Sequence, residues 1–120
     1  MNPGVVLSAL LQAGYPPLLP FGDGHRYDVA FDRDGRLCRV QCKTGRLEDG
    51  AVVFKTASYT RNVPKAYRGE ADYFGVYCPE TGQAYLVPVE VVGDRTGQLR
   101  VEEPKNGQTH SIHWARDHVL

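Results

Sequence analysis

The sequence has no acidic residue before Asp23, although acids and bases balance over the 120-residue chain, with 14 of each. It also lacks an apolar run near the roughly 20 residues of a membrane-spanning helix, so we expect no contact with a membrane. Its three cysteines are an odd number, which argues against a disulfide framework. We expect buried free thiols in a reducing cytoplasm. The length favours a single domain over residues 1–120.

The neutral total conceals an uneven distribution of charge along the chain. Residues 33–68 hold nine Lys or Arg against three acids, whereas residues 69–120 hold four basic residues against eight acidic ones. A basic middle segment either attracts phosphate or is a solvated loop whose charge is incidental. The charge pattern alone leaves both alternatives open.

Apolar periodicity predicts one helix followed by a mostly antiparallel mixed sheet, an α/β or α+β arrangement. The helix is expected at about Pro3–Ala13, where apolar residues recur at helical spacing and no basic segment precedes them as in a signal peptide. Loops are expected at 45–50, 58–69 and 103–109, and a short last helix at 112–118. The expected strands are a short one at 18–19, a hairpin over 26–44, and further strands at 51–55, 73–78, part of 84–92, and 99–101.

The hairpin has the strongest local signal, an Asp34-Gly35 pair between two alternating apolar runs. A two-residue type I′ turn there places Arg33 opposite Arg36. The same register places Asp28 opposite Gln41, and Lys43 then shares the face of Gln41. A three-residue bulged loop would shift these partners by one position. The opposite face is continuously apolar and is expected to be core: Tyr27, Val29, Phe31, Cys38, Val40 and Cys42.

A carboxylate, a carboxamide and an ammonium group on one patch suit phosphodiester hydrolysis. Asp28, the Gln41 amide and the Cys42 carbonyl are oxygen donors of the kind that Mg²⁺ prefers. Lys43 could orient the attacking water or neutralise charge on the scissile phosphate. The plainer interpretation is an exposed polar pair on a sheet face beside a solvated lysine. Arg26 faces Lys43 in this register, and an anion between the two cations would relieve their repulsion.

The order of a helix, an Asp on one strand and x-x-Lys on the next resembles the PD-(D/E)XK nuclease superfamily. The resemblance is carried by segments 20–32, 38–58, 67–90 and 104–115, and it is closest to group I intron-associated homing endonucleases and archaeal-type Holliday junction resolvases. In that homing branch Gln replaces the usual acid of the second motif, as Gln41 does here. The resemblance implies a restriction-endonuclease-like mixed central sheet flanked by helices, and a DNA endonuclease that uses Mg²⁺, with Mn²⁺ as a substitute.

The resemblance also implies roles for individual residues. Asp28 and Gln41 would bind the metal, with the Cys42 carbonyl as a third ligand, and Lys43 would be the catalytic lysine. Cutting two DNA strands with one site per chain favours a homodimer or larger assembly. The residues expected to contact double-stranded or branched DNA are Arg26, Lys55, Thr56, Ser58, Arg61, Lys65 and Arg68.

One departure from the family pattern concerns the first helix, where these enzymes usually carry a Glu that completes the metal site. This chain has none, so either it starts late or it has lost that ligand, in which case Asp23 or Asp32 substitutes or the site holds a single carboxylate. The alternative functions are therefore a catalytically impaired DNA-binding protein on the same fold, and a protein-interaction domain without a nucleic-acid role.

Overall fold

The Asp34-Gly35 hairpin lies in the middle of the main sheet. The computed structural model describes residues 3–22, 25–103 and 112–120. In it Arg33 pairs with Arg36 and Val29 with Val40, which is the register predicted from a two-residue turn. Asp34 and Gly35 have φ angles of 53° and 84°, as a type I′ turn requires. Glycine adopts this conformation without steric cost, which explains its place at the second turn position.

The described chain is built mainly of strands. One α-helix, α1, covers Gly4–Gln12, and 3₁₀ turns cover Val89–Val91 and Ala115–Asp117. The strands are β1 (Pro17–Leu18), β2 (Val29–Arg33), β3 (Arg36–Thr44), β4 (Arg46–Glu48), β5 (Ala51–Lys55), β6 (Ala57–Thr60), β7 (Val63–Ala66), β8 (Tyr73–Cys78), β9 (Gln83–Pro88) and β10 (Thr96–Arg100).

The strands form a five-stranded mixed sheet and two smaller sheets. The main sheet has the order β1-β2-β3-β8-β9, in which β3 and β8 are parallel and the other neighbours are antiparallel. A second sheet has the order β10-β5-β4, and β6 pairs with β7 alone. The parallel pair needs a long crossover, and residues 45–72 supply it with four strands of their own. The predicted mixed central sheet is therefore confirmed.

Both faces of the main sheet are covered. On one face Val6 and Leu10 of α1 pack on Val29, Phe31 and Val40, so this face is the core that the alternation predicted. The other face was expected to be free for chemistry, but a second core covers much of it. In the described structure a helix therefore covers one face of the main sheet, as expected, whereas strands cover the other face. The second core contains Val52, Phe54, Tyr67, Phe74, Val76, Val87 and Leu99.

Several sequence predictions need correction. The segment 58–69, expected to be a loop, is the β6–β7 hairpin, and the turn expected at 45–50 contains β4. The last helix, expected at 112–118, is reduced to the 3₁₀ turn Ala115–Asp117. Residues 104–109 of the expected loop lie outside the described residues. No helix in the described ranges is long and apolar enough to cross a membrane.

Gly75 in β8 lies directly beneath α1. A Cβ atom at this position would lie 2.7 Å from a methyl carbon of Val6 and 3.0 Å from one of Val40. Both neighbours are fully buried, so neither side chain has space to move aside. The absence of a side chain at Gly75 therefore sets the distance between the helix and the sheet.

We predict that Gly75→Ala lowers the free energy of unfolding by about 1–3 kcal/mol, because overpacking forces α1 away from the sheet. Urea unfolding followed by circular dichroism measures the change. Ser8→Ala, on the exposed side of the same helix, is the control and should stay within about 0.5 kcal/mol of the wild type. Equal stability of Gly75→Ala and the wild type would contradict the close contact.

Candidate active site

The Cys42 peptide group contacts both the Asp28 carboxylate and the Gln41 carboxamide. Asp28 immediately precedes β2, and its backbone N–H donates to the Val40 carbonyl at 2.8 Å. The Cys42 N–H donates to Oδ2 of Asp28 at 2.8 Å. The Gln41 carboxamide reaches the Cys42 carbonyl, with Nε2 3.5 Å from that oxygen. The N–H and C=O groups of one strand residue point to the same side of the strand, so Cys42 aims both groups toward Asp28.

Lys43 lies on the same face as Gln41 and contacts a buried tyrosine. Its Nζ is 3.4 Å from the Tyr67 hydroxyl and 4.8 Å from the centre of the Tyr67 ring. Tyr67 is only 5% exposed and meets Phe74 edge-on, with ring centres 5.7 Å apart. A cation at this distance is attracted to the ring face, so the buried ring restricts where the Lys43 amine lies.

Arg26 contacts the same ring and is neutralised by an acid that sequence reasoning missed. Its guanidinium carbon lies 4.0 Å from the Tyr67 ring centre, and its Nη1 lies 3.4 Å from Oε1 of Glu70. Lys65 also lies 3.4 Å from that oxygen. The repulsion between Arg26 and Lys43 was expected to favour a bound anion. The Glu70 carboxylate supplies the negative charge instead, so this observation no longer argues for a phosphate.

The alternative carboxylates do not join Asp28. Asp32 lies at the other end of β2, where its Oδ1 accepts a hydrogen bond from the Gly35 N–H at 2.8 Å and closes the turn. Asp23 lies outside the described residues. Helix α1, Gly4–Gln12, carries no acid. Within the described part of the chain, no group of three or more His, Cys, Asp or Glu side chains lies together as a metal site.

The residues expected to contact DNA divide into exposed and buried ones. Lys55, Arg61, Lys65 and Arg68 are exposed, and Ser58 is half-buried. Lys55 lies over the Tyr59 ring at 5.7 Å, and Arg68 pairs with Asp94 at 2.7 Å.

Thr56 requires a correction. Its side chain is 2% exposed, and its hydroxyl donates to the Gly93 carbonyl at 2.5 Å. The hydroxyl is thus occupied inside the protein, so the structure contradicts its expected contact with a DNA phosphate.

The ion pair between Arg39 and Asp72 holds the start of β8 against β3. The Asp72 carboxylate accepts hydrogen bonds from the backbone N–H of Arg39 at 2.8 Å and from its Nε at 3.2 Å. Partial burial raises the pKa of Asp72, but these hydrogen bonds and the charge of Arg39 outweigh burial and hold the pKa below its usual value. Because β3 carries Gln41 and Lys43, this pair fixes the β3–β8 register in which they lie beside Phe74 and Val76.

A family model described as PD-(D/E)XK endonuclease matches residues 3–120. The chain also resembles the solved structure of a bacterial homing endonuclease, I-Ssp6803I, at 27% sequence identity and a TM-score of 0.68. That similarity covers 96% of this chain and 80% of the other.

The Cys42 thiol stays protonated in the folded chain. Its side chain is buried against α1, and burial, helped by the nearby Asp28 carboxylate, raises the pKa of the thiol from 9.0 to about 12. Unfolding lets the thiol ionise at its ordinary pKa, so the unfolded state binds fewer protons than the folded state between these two values. Stability therefore falls as pH rises through this window.

We predict that Cys42 contributes about 2 kcal/mol less to stability at pH 10.5 than at pH 8, since each pH unit above the unfolded pKa costs about 1.4 kcal/mol. Urea unfolding of the wild type and of Cys42→Ala at both pH values measures this contribution. The difference between the unfolding free energies of the two proteins isolates Cys42, because the tyrosines and lysines that also titrate are the same in both. A difference between the two proteins that does not change with pH would contradict the raised pKa.

Proposed function

We propose that this chain, which belongs to the PD-(D/E)XK endonuclease family, hydrolyses phosphodiester bonds in DNA at Asp28, Gln41 and Lys43. The observation that carries the proposal is the convergence on the Cys42 peptide of one carboxylate and one carboxamide, with a lysine next on the same face. The neighbouring structure, described as that of a bacterial homing endonuclease, supports a homing-type nuclease over a junction resolvase.

The oxygen atoms at this site are of the type that binds a divalent cation, but together they carry little negative charge. Asp28, the Gln41 amide and the Cys42 carbonyl are hard oxygen donors, which Mg²⁺ and its substitute Mn²⁺ accept. They supply a single negative charge, beside the cations of Arg26 and Lys43. When bound, a divalent cation would stabilise the charge that develops on the phosphate and polarise a water. Because these residues leave coordination positions to water and phosphate, we expect the DNA phosphate itself to strengthen cation binding.

Lys43 is proposed to neutralise charge on the phosphate as water attacks. The water oxygen bonds to phosphorus, one P–O bond of the backbone breaks, and the departing oxygen leaves as a hydroxyl group after protonation. An ammonium held near the phosphate stabilises the transition state without reorganising. The contact with the Tyr67 hydroxyl and ring limits the positions of the Lys43 amine, so Tyr67 is proposed as a positioning residue.

The DNA is proposed to lie along the exposed basic residues of the crossover. Lys55, Arg61, Lys65 and Arg68 present their cations to solvent, and Ser58 lies among them on β6. Such contacts are strongly salt-dependent because they release counterions from the phosphates. The three buried cysteines are all free thiols, which suits work on DNA in a reducing cytoplasm.

A second candidate function is DNA binding without cleavage. It is favoured by the absence of an acid on α1, which leaves Asp28 as the carboxylate of the site. In that case the basic residues would bind DNA while the cation fails to bind tightly enough for catalysis.

We predict that the purified chain cuts duplex DNA in Mg²⁺ or Mn²⁺, and that Asp28→Asn and Lys43→Ala each slow cleavage at least about 100-fold. Gel assays on linear, branched and junction DNA measure the rates, and a filter-binding assay measures DNA affinity separately. Asp32→Asn is the matched control, since this acid lies on the same hairpin and its amide oxygen can still close the turn.

Three outcomes separate the alternatives for the cleavage experiment. Cleavage that persists in both variants excludes the proposed site. Salt-sensitive DNA binding by a wild-type chain that never cuts supports the second candidate. A chain that binds no DNA at all leaves only a protein-interaction domain.

We further propose that the chain acts as a homodimer, because one site cuts one strand. Apolar side chains are exposed from the last turn of α1 to the segment before β2, namely Leu11, Leu18, Leu19 and Phe21, of which Phe21 is 99% exposed. A second copy of the chain is the proposed cover for this surface.

Light scattering should give twice the 13.3 kDa chain mass for the wild type. Leu19→Ser combined with Phe21→Ser should give the monomer mass, because the double substitution removes apolar contacts between copies. Val63→Ser, at an exposed apolar residue on the β6–β7 hairpin, is the control and should leave the mass unchanged. A wild type of monomer mass would contradict the proposed homodimer.

A further inference from the structure

The β6–β7 hairpin forms a two-stranded ribbon that pairs with no other strand in the described structure. Ala57 pairs with Ala66 at its base, and Thr60 pairs with Val63 next to its tip. Ala57 is buried, whereas residues 59–63 are all exposed, so both faces of the ribbon are free toward the tip. The ribbon is thus anchored at one end and presents the other end to solvent.

The turn at the tip of this ribbon has an unusual composition. Of the three described hairpins that close with two-residue turns, two use Asp-Gly, at residues 34–35 and 49–50. The ribbon uses Arg61-Asn62, with φ angles of 51° and 65°. Asn enters this left-handed conformation readily, but a residue such as Arg rarely does. Glycine would adopt this left-handed conformation without the strain that Arg61 incurs. Strain that is kept where glycine would remove it points to a function of the Arg61 side chain.

The two tip side chains match the chemistry of base edges. Arg donates a pair of hydrogen bonds to O6 and N7 of guanine, and Asn pairs in the same way with N6 and N7 of adenine. Both edges are displayed in the major groove, which is about 12 Å wide and 8.5 Å deep and admits a two-stranded ribbon. The four residue pairs of this ribbon span roughly 13 Å along the strands. Including its buried base, the ribbon is longer than the groove is deep, and the exposed residues 59–63 are the part that would enter the groove.

The base of the ribbon is tied to the proposed catalytic site. Nη2 of Arg26 donates to the Lys65 and Ala66 carbonyls of β7 at 3.2 Å and 3.3 Å. The same guanidinium lies on the Tyr67 ring, which Lys43 also contacts. These contacts hold the ribbon at a fixed position relative to Lys43. A ribbon that determines where the DNA is cut would need such a fixed position.

We infer that the β6–β7 ribbon enters the DNA major groove and that Arg61 and Asn62 read purine edges there, which makes them specificity-determining residues. The inference rests on the proposed nuclease function. It assigns sequence recognition to two residues and leaves the phosphate contacts to the lysines and arginines around them.

The test selects binding sites from a randomised duplex pool with the full-length wild type in EDTA, which prevents cleavage. Purines of the enriched site are then replaced one at a time by 7-deaza analogues, which lack the N7 acceptor. We expect one or two replacements to weaken wild-type binding roughly tenfold to hundredfold. The double variant Arg61→Gly, Asn62→Gly keeps a favourable turn, because Gly-Gly suits type I′. It should select a site without those positions and should not respond to the analogues.

Arg36→Gly is the matched control, since Arg36 is exposed beside the Asp34-Gly35 turn, and it should respond to the analogues as the wild type does. The inference is overturned if the double variant selects the same site as the wild type. It is equally overturned if the variant loses affinity for all sequences alike with a shallower salt dependence, because the tip then contacts only phosphates. A wild type that binds no DNA in EDTA and cuts none in Mg²⁺ refutes the nuclease proposal as well, whereas cleavage without tip-dependent selection refutes the ribbon alone.

Discussion

The two-residue reversal at Asp34-Gly35 is the constraint from which the rest of the site follows. It fixes which side chains of β2 and β3 face each other, and a slip of one residue would turn every side chain to the other face. With the observed register, the apolar set meets α1, and Asp28, Gln41 and Lys43 share the opposite side. The Cys42 N–H then donates to the Asp28 carboxylate, so this contact forms without any contribution from a distant loop.

The site that results is half-buried because a second core reaches its margin. Phe74 and Val76 lie beside Gln41 and Lys43 in the sheet, and Tyr67 covers them from the crossover. A cation beside a buried aromatic ring is less free to move than a solvated lysine, and its charge is less screened by water. Among the described residues, Asp28 is the carboxylate that contacts the Cys42 peptide, so the proposed site carries little negative charge. Under the proposed function, a DNA phosphate would supply the additional negative charge that a divalent cation needs.

Sequence patterns predicted the local parts of this structure and missed the non-local ones. The Asp34-Gly35 turn, the helix and the apolar strand at 73–78 carry strong signals within a few residues, and all three are confirmed. The β6–β7 ribbon was missed because its turn is Arg-Asn instead of a glycine turn, and because Pro64 and several charges dilute the alternation. The burial of Tyr67 and the role of Glu70 depend on how the crossover folds back. No spacing in the sequence separates the buried Tyr67 from the exposed Tyr59.

The parallel pairing of β3 with β8 has a consequence for how the chain folds. The hairpin of β2 and β3 closes over a few residues, so the contact of Asp28 with Cys42 can form early. Tyr67 reaches Lys43 only after residues 45–72 have looped back, and the entropy of closing that loop must be paid before β8 pairs. The contact of Asp28 with Cys42 and the contact of Lys43 with Tyr67 therefore form in different folding events. The proposed catalytic centre is complete only when the slower event has finished, so under the proposed function a partly folded chain would not cut DNA.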